Sequence, residues 1–282
     1  MKLRTALRLG RVSNLPTVWT NTLAGAVLAG NGGDGAQFAL MLLAFSLFYT
    51  GGMFLNDAFD APFDAAQRPE RPIPSGEIGA RAVFTWGFGL MAAGIALLAW
   101  FGIAPALAGL TLAVAITFYD WHHKQNLFGP VVMGLCRVLV YVGAGLCVTL
   151  ALPDRLWIGA ALMWCYLIGL TYVAKQENLG RVENLWPLLF LAAPVAYGAW
   201  LAAARPVAGL FWLLFSGWML VALWFLRRRA KGDVPRAVVS LIAGISLLDA
   251  LLIAAAGAPA LAFAALAGFG VTLFLQRYVS GT

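Results

Sequence analysis

The sequence has few charged residues, few histidines and few cysteines. Asp, Glu, Lys and Arg together make up 11% of its 282 residues, and it contains two histidines and three cysteines. So little charge excludes an ordinary soluble domain, in which about a quarter of the residues are charged. The two histidines are adjacent, so they point to different sides of a helix and lack metal-ligand spacing. Cys136, Cys147 and Cys165 all fall within apolar runs, which favours packing roles over a disulfide framework.

Long apolar runs are what the chain has instead. Hydrophobic residues make up 62% of the sequence, and its mean hydropathy is +0.83. A run of about 20 apolar residues can cross the roughly 30 Å of hydrocarbon in a bilayer. The sequence therefore predicts an all-α fold, a polytopic membrane helix bundle in a single domain over residues 1–282. The predicted bundle has nine transmembrane helices, or ten if the last run, rich in Ala and Gly, also spans the membrane. The predicted spans lie at 14–30, 37–56, 82–101, 104–119, 129–150, 156–174, 186–204, 208–226, 237–256 and 259–276.

Lys and Arg are distributed unequally between the two sides of this predicted bundle. When the loops are assigned alternately, sixteen of the nineteen Lys and Arg residues fall on one side, and only Arg155 and Arg205 on the other. Cytoplasmic loops carry such an excess, so we expect an integral inner- or plasma-membrane protein whose active-site loops are cytoplasmic. The net charge of +7 then reflects topology and contact with anionic lipid headgroups, and no nucleic-acid partner is expected. The predicted cytoplasmic loops are 57–81, 120–128, 175–185 and 227–236.

The most unusual stretch is 56–76, at the end of the second apolar run. It contains four acids and two arginines in 21 residues. In a continuous helix, Asp57, Asp60 and Asp64 lie within an arc of about 60° on one face. Such carboxylates repel one another unless a divalent cation lies between them, and Mg²⁺ is usually held by carboxylates together with substrate phosphates. With both arginines close behind, the stretch predicts a Mg²⁺-dependent diphosphate site. A solvated loop is the simpler alternative.

Two further polar returns are predicted on the same membrane face. The first contains Tyr119, Asp120 and Lys124. The lysine there could neutralise a diphosphate, and the tyrosine and aspartate could orient the lysine or an acceptor. The second return covers 171–184 and again mixes acids with bases. The chain has no convincing internal repeat that would relate this return to the acidic stretch.

Three polar residues are predicted inside the bilayer. Arg137 lies well inside the fifth span, where a guanidinium is costly to bury. We therefore expect it to face the bundle interior and to have an anionic partner, either structural or a substrate. Asp249, in the middle of the ninth span, is the obvious candidate for that partner. Asn21, in the first span, either bonds a neighbouring helix or lines a cavity.

The acidic stretch resembles the first aspartate-rich motif of the UbiA-type membrane prenyltransferases. The resemblance rests on Asn56-Asp57-x-x-Asp60-x-x-x-Asp64, followed by Arg68, Arg71-Pro72 and Ser75-Gly76, at the end of the second span as in that family. It implies a helix bundle around a central cavity, which joins a prenyl diphosphate to an aromatic or other lipid-soluble acceptor with Mg²⁺ as the cofactor. By position, the family motif implies that Asn56, Asp57, Asp60 and Asp64 hold Mg²⁺ and diphosphate, and that Arg68, Arg71 and Lys124 bind phosphate oxygens.

The counterpart of this motif departs from the family pattern. The return after the sixth span normally supplies two aspartates, and here it reads Tyr172-x-x-Lys175-Gln176-Glu177-Asn178. Glu177 is the acid at the expected position, and Lys175 could replace the charge of a second Mg²⁺. This departure resembles a divergent UbiA-like branch found with cell-envelope metabolite clusters. Two alternatives stay open: a catalytically degenerate protein that binds or handles a prenyl lipid or envelope metabolite, and, less favoured, a transporter.

The residues and the resemblance together predict a prenyltransferase whose site residues form three groups. The predicted catalytic residues are Asp57, Asp60, Lys124 and Glu177. The predicted substrate-binding residues are Asn56, Arg68, Arg71, Tyr119, Asp120, Arg137, Tyr172 and Lys175. The predicted metal ligands are Asp57, Asp60 and Asp64. The expected partners are a prenyl diphosphate, a lipid-soluble acceptor and membrane lipids.

Overall fold

The chain folds as a bundle of helices. A computed structural model describes residues 1–30, 35–122, 126–175, 186–228 and 230–279, and these residues form helices and connecting turns with no strand. The short 3-10 helix Val12–Asn14 precedes the first long helix, and a second one, Trp186–Leu191, leads into the eighth. The α-helices are α1 Leu3–Leu9, α2 Leu15–Ala29, α3 Gly35–Gln67, α4 Ala80–Ala99, α5 Ile103–His122, α6 Gly129–Leu146, α7 Asp154–Lys175, α8 Ala192–Ala204, α9 Pro206–Arg228, α10 Asp233–Ala255 and α11 Pro259–Leu275.

Length and composition make this bundle an integral multi-pass membrane protein. Eight helical segments in the described part of the chain are long and apolar enough to cross a membrane, one of them formed by Trp186–Leu191 together with α8. The helices α2 and α11 are shorter, with 15 and 17 residues. Each predicted span coincides with one helical segment, so the predicted all-α polytopic bundle is confirmed. Pro16 lies in the first turn of α2, where its missing N–H has no partner to lose.

Helix α3 is longer than the sequence predicted. The predicted loop 57–81 begins only after Gln67, because the helix continues through the acidic residues and through Pro62. The run of apolar residues ends at the first acid. The backbone stays helical beyond it because Asp57, Asp60 and Asp64 are buried against neighbouring elements. With 33 residues, α3 is about 50 Å long, and its last turns extend beyond the roughly 30 Å of hydrocarbon. The loops predicted at 120–128 and 227–236 are likewise shortened by helices that end at His122 and Arg228 and begin at Gly129 and Asp233.

Helix α10 is at the centre of the bundle. The apolar stretch of α10 is 89% buried, compared with 28% for the apolar stretches of α4 and α9. The peripheral helices therefore present apolar side chains outward, as lipid-facing helices do, while α10 contacts α2, α7, α9 and α11. The three cysteines are free thiols, buried or half-buried, as predicted for packing residues.

A close approach of α2 and α6 depends on Gly25. A Cβ atom at this position would lie 2.7 Å from the carbonyl oxygen of Tyr141. Replacing Gly25 by valine is expected to cost about 1–3 kcal/mol of stability, because the helices would have to separate. The measurement is the melting temperature of the purified protein in detergent. Gly217→Ala in α9 is the control, since a Cβ there meets no atom within 4 Å. Equal melting temperatures for Gly25→Val and the control would contradict the close approach.

Candidate functional site

A cavity of about 410 Å³ lies between α3, α6, α7 and α10. Asn56, Asp60, Asp64, Arg68 and Arg71 line one part of it, and Leu167, Leu170, Val238, Ile242 and Ile245 line another. The polar group comes from the end of α3 and the loop after it, whereas the apolar group comes from the interior of α7 and α10. The cavity therefore joins a charged mouth to an apolar inner part within the bundle.

The acids of α3 are paired with arginines at the mouth. Asp57 Oδ1 lies 3.0 Å from Arg11 Nη2 and 3.3 Å from Arg71 Nη1, and the same Arg71 nitrogen lies 2.9 Å from Asp64 Oδ2. Both of these carboxylates are buried, and the two arginine side chains are 15–18% exposed. The free-energy cost of burying these acids is reduced because the cations neutralise them. Arg71 thus occupies the position between two carboxylates where the sequence predicted a divalent cation.

Asn56 connects the mouth to α5. Its amide oxygen accepts a hydrogen bond from Arg11 Nη2 at 3.2 Å, and its amide nitrogen donates to Asp120 Oδ1 at 3.0 Å. Asp120 is buried and does not line the cavity, whereas Tyr119 does. Asp120 therefore contacts Asn56 directly, and its role in orienting the lysine or an acceptor stays a prediction.

The other predicted residues are divided between the cavity wall, the core and the undescribed part of the chain. Lys175, at the end of α7, lines the cavity and donates from Nζ to the carbonyl oxygen of Asn126 at 2.7 Å. Tyr172 packs against the hydrophobic core and does not line the cavity, because it lies on a different face of α7 from Thr171 and Lys175. Lys124 and Glu177 lie outside the described residues.

A buried polar cluster lies beside the inner part of the cavity. Asp249 accepts hydrogen bonds from Thr20 at 2.6 Å, from Asn21 Nδ2 at 3.0 and 2.8 Å, and from the Tyr141 hydroxyl. Arg137 donates instead to Asn21 Oδ1 at 2.7 Å. Among the described residues there is no ion pair between Arg137 and Asp249, so the predicted direct pairing is wrong. The amide of Asn21 lies between the two because it can donate on one side and accept on the other.

Sequence reasoning missed four polar residues that line this cavity: Arg11, Asn14, Tyr49 and Thr171. Arg11 was counted only as part of the positive side of the protein. It adopts a left-handed backbone conformation, with φ of 40°, which costs a non-glycine residue about 1–3 kcal/mol and is found mainly at functional sites. Its carbonyl oxygen accepts a hydrogen bond from the Tyr49 hydroxyl at 3.2 Å. The available signal was Arg11 itself, a single basic residue just before a short polar turn.

Helix α1 is tied to the loop that follows α3. Glu77 in that loop accepts hydrogen bonds from the Thr5 hydroxyl at 2.8 Å and from Arg8 Nη1 at 3.0 Å. Arg8 also donates to the carbonyl oxygen of Glu70 at 3.1 Å. The Thr5 hydrogen bond and then the charge of Arg8 hold the pKa of Glu77 below its ordinary value. The N-terminal helix therefore holds the loop over the end of α3.

This link is expected to weaken in acid. Because the folded pKa of Glu77 is lowered, its contribution is present above the unfolded value of about 4.3 and is lost as the pH falls through the folded value. A nitroxide label at Leu7→Cys, in a protein lacking its native cysteines, should become more mobile between about pH 7 and about pH 3. In Glu77→Gln the label should be mobile at every pH. A mobility that changes equally with pH in both proteins would show that Glu77 is not the titrating group.

The donor set at the mouth suits a hard divalent cation only in part. Within the part of the chain that the structure describes, no group of three or more His, Cys, Asp or Glu side chains is arranged to hold a metal ion. Mg²⁺, however, usually takes one or two carboxylates and completes its shell with water and substrate phosphates. Asp60 and Asp64 both line the cavity and supply such oxygens. The residues present therefore fit Mg²⁺ brought together with a diphosphate, while a site built from protein carboxylates alone does not fit.

The fold and the site define a class: an intramembrane helix bundle with buried acids and arginines at the mouth of a partly apolar cavity. Residues 18–239 match the model of the UbiA prenyltransferase family. The chain is also 30% identical, over 90% of its length and 90% of the relative's, to the digeranylgeranylglyceryl phosphate synthase of Methanopyrus kandleri. The chain therefore belongs to the UbiA prenyltransferase family, and the predicted family is confirmed. The narrower branch associated with cell-envelope clusters stays a prediction.

Solved structures have the same fold. A structure of a digeranylgeranylglyceryl phosphate synthase superposes with a TM-score of 0.67 at 17% identity, over 90% of this chain and 98% of that one. A UbiA homologue from Archaeoglobus fulgidus bound to GPP and Mg²⁺ superposes with a TM-score of 0.55 at 16% identity, over 95% of this chain and 99% of that one. The likeness over almost the whole chain shows a UbiA-like bundle.

Proposed function

We propose that the chain transfers a prenyl group from a prenyl diphosphate to a lipid-soluble acceptor inside the membrane, with Mg²⁺ as the cofactor. The observation that carries the proposal is the arrangement of Asp60, Asp64, Arg68 and Arg71 at the mouth of a cavity whose inner walls are apolar. A prenyl diphosphate has the same division into a charged head and an apolar tail. The family membership and the Mg²⁺- and GPP-bound homologue support this assignment.

The proposed reaction breaks the bond between the prenyl carbon and the diphosphate oxygen. The electron pair leaves with the diphosphate, and the acceptor atom that bonds to the prenyl carbon loses its proton. Arg68 and Arg71 would stabilise the negative charge that develops on the leaving group. Mg²⁺, when bound through Asp60 and Asp64, would supply further neutralisation of that charge. The remaining predicted ligand, Asp57, would position Arg11 and Arg71, to which it is paired.

The apolar walls have their own part in the reaction. A carbon centre that gains positive character as the diphosphate leaves must be kept from water, which would otherwise take the prenyl group. Leu167 and Leu170 of α7 and Ile242 and Ile245 of α10 line the cavity and supply such a surface. The prenyl tail would lie along these residues. Lys124 and Glu177, in the undescribed returns, remain candidates for further contacts with the diphosphate.

The charged mouth is proposed to open on the cytoplasmic side of the inner or plasma membrane. The excess of Lys and Arg on the side that carries the loop after α3 supports this orientation. The acceptor is proposed to enter from the bilayer, and membrane lipids would surround the peripheral helices. A catalytically degenerate binding protein is less well supported, because Asp60, Asp64, Arg68 and Arg71 are all kept and brought to one cavity. No described feature of the bundle supports a transporter.

The test is turnover by the purified protein in lipid vesicles. Labelled geranyl diphosphate is supplied with Mg²⁺ and an extract of membrane lipids, and label in the organic phase is identified by mass spectrometry. We expect a prenylated product that disappears when EDTA removes Mg²⁺ and returns when Mg²⁺ is restored. Mg²⁺-dependent binding of geranyl diphosphate without any product, across donors of several chain lengths, would instead support a binding protein.

A further inference from the structure

Helix α1 has two faces, and the bundle covers only one of them. Thr5 and Leu9 are four residues apart, so they share one face, and both are buried. Leu3 and Leu7 share a second face, about 200° away around the helix. These two leucines are 75% and 38% exposed. One exposed leucine is ordinary, but two on one face of a seven-residue helix, opposite its packed face, form an apolar surface that a partner can cover.

The packed face of α1 places the helix where the bundle enters the bilayer. Leu9 packs with Phe54 and Ala58 of α3 and with Val83, in the first turn of α4. Helix α4 is long and apolar enough to span the membrane, so its first turn lies near a membrane boundary. Trp86, three residues later, is an exposed tryptophan of the kind that is enriched at membrane interfaces. Helix α1 therefore lies at the level of the lipid head groups.

The charge of this segment is complementary to anionic lipid. The first 33 residues contain four basic residues and no acid. Arg8 is paired with Glu77 of the loop after α3, whereas Lys2 and Arg4 are exposed beside the leucine face. Basic and apolar residues together on a helix at a membrane boundary are typical of helices that lie in the interface and bind anionic lipid.

We propose that α1 binds the surface of an anionic bilayer. Leu3 and Leu7 would lie among the head groups and the first methylenes of the lipid, and Lys2 and Arg4 would contact lipid phosphates. An acidic protein would match the same charge, but a bilayer is already present at this level of the bundle. The inference goes beyond the proposed reaction and does not depend on it, because no substrate takes part in this contact.

Membrane binding by α1 would also hold the loop at the mouth of the cavity. Arg8 donates to the carboxylate of Glu77 and to the carbonyl oxygen of Glu70, so the helix and the loop move together. The same loop carries Arg68 and Arg71, which line the cavity. An anionic bilayer surface would therefore fix the position of these arginines through α1.

The test measures the surroundings of residue 3 in membranes of different charge. Protein lacking its native cysteines carries the dye NBD at Leu3→Cys, in nanodiscs of phosphatidylcholine alone or mixed with phosphatidylglycerol. The emission should move to shorter wavelength in the anionic nanodiscs, as NBD leaves water. Replacing Lys2 and Arg4 by glutamine should lower the ratio of bound to free α1 by about fivefold for each charge. Arg277→Gln removes an exposed charge after α11 and is the matched control, with no change expected.

A second labelled position supplies the reference for water. NBD at Gln67→Cys, the exposed last residue of α3, should emit at longer wavelength in both membranes. Emission at residue 3 that equals this reference, or that is the same in both kinds of nanodisc, would overturn the inference. A shift that requires added soluble protein would overturn it as well, because the leucine face would then belong to a protein partner.

The link to the mouth has its own measurement. A nitroxide at Ser75→Cys, in the loop after α3, should be less mobile in anionic nanodiscs than in phosphatidylcholine. Glu77→Gln should remove most of this difference, while the emission at residue 3 still responds to lipid charge. Equal mobility of the loop label in both membranes would overturn the link. Binding of geranyl diphosphate with Mg²⁺ is measured separately, and its absence would count against the proposed function and not against the membrane contact of α1.

Discussion

Asp60→Asn is expected to reduce prenyl transfer by about 100- to 1,000-fold, because the site loses a carboxylate that is proposed to hold the Mg²⁺ that would neutralise the leaving diphosphate. Asp60 is buried, lines the cavity and lies on the same face of α3 as Asp57 and Asp64. Asparagine has nearly the same shape, so the effect comes from the lost charge. The measurement is product formation from geranyl diphosphate over a range of Mg²⁺ concentrations. The concentration of Mg²⁺ needed for half-maximal activity should rise.

Asp154→Asn is the matched control for this substitution. Asp154 is an exposed acid in the first turn of α7, on the other side of the bundle from Lys175 at the end of that helix. Its replacement should leave activity and Mg²⁺ dependence unchanged. Melting temperatures of both variants should stay near the wild-type value, which would separate a chemical effect from unfolding. Full activity in Asp60→Asn would remove this residue from the proposed Mg²⁺ and diphosphate site.

The helical periodicity of the acidic stretch was readable from the sequence. The spacing of Asp57, Asp60 and Asp64 predicted one face of a helix, and the structure has all three buried on α3. The register depends only on local geometry, which the sequence determines well. The end of the helix was harder to predict. The apolar run ends where the charged residues begin. The same helix continues for eleven more residues because its acids are buried beside Arg11 and Arg71.

The partners of these acids were less predictable. Arg71 was expected to contact phosphate, and the structure has it bridging Asp57 and Asp64. Arg11, itself in a left-handed conformation just before the 3-10 helix Val12–Asn14, reaches the Asp57 carboxylate across 46 positions of sequence. Contacts of this kind depend on how a loop enters the bundle. The sequence shows the charges but not their separation in space.

Contacts among the intramembrane polar residues depend on helix rotation, which the sequence does not show. The sequence identified Arg137 as costly inside a bilayer and therefore as facing the interior, with Asp249 as its candidate partner. Asn21 was expected to bond a neighbouring helix or to line a cavity. Which of them meet depends on the rotation and depth of α2, α6 and α10, and small changes would exchange the partners. The structure has Asn21 between the two charged residues. The simplest pairing by charge was therefore wrong, although Arg137 was correctly expected to face the interior.

The arrangement of residues around the cavity would fix the orientation of a bound prenyl diphosphate. Asp60 and Asp64 near the end of α3 and Arg68 just after it line the cavity, and apolar residues of α7 and α10 line it as well. A prenyl diphosphate with its head at these charged residues would have its reacting carbon farther along the cavity, where an acceptor atom could meet it away from water.

Asp249→Ala is expected to destabilise the protein by about 3 kcal/mol or more, since it leaves several buried donors without an acceptor. Thr20, Asn21 and Tyr141 all donate to this carboxylate, and the side chain of Asp249 is fully buried. The melting temperature in detergent should fall by roughly 10 °C for a chain of this size. Ser246→Ala is the control, because Ser246 shares one hydrogen bond with Thr20 and should have a much smaller effect. A loss of the same size in both variants would mean that packing of α10, and not the carboxylate, stabilises this region.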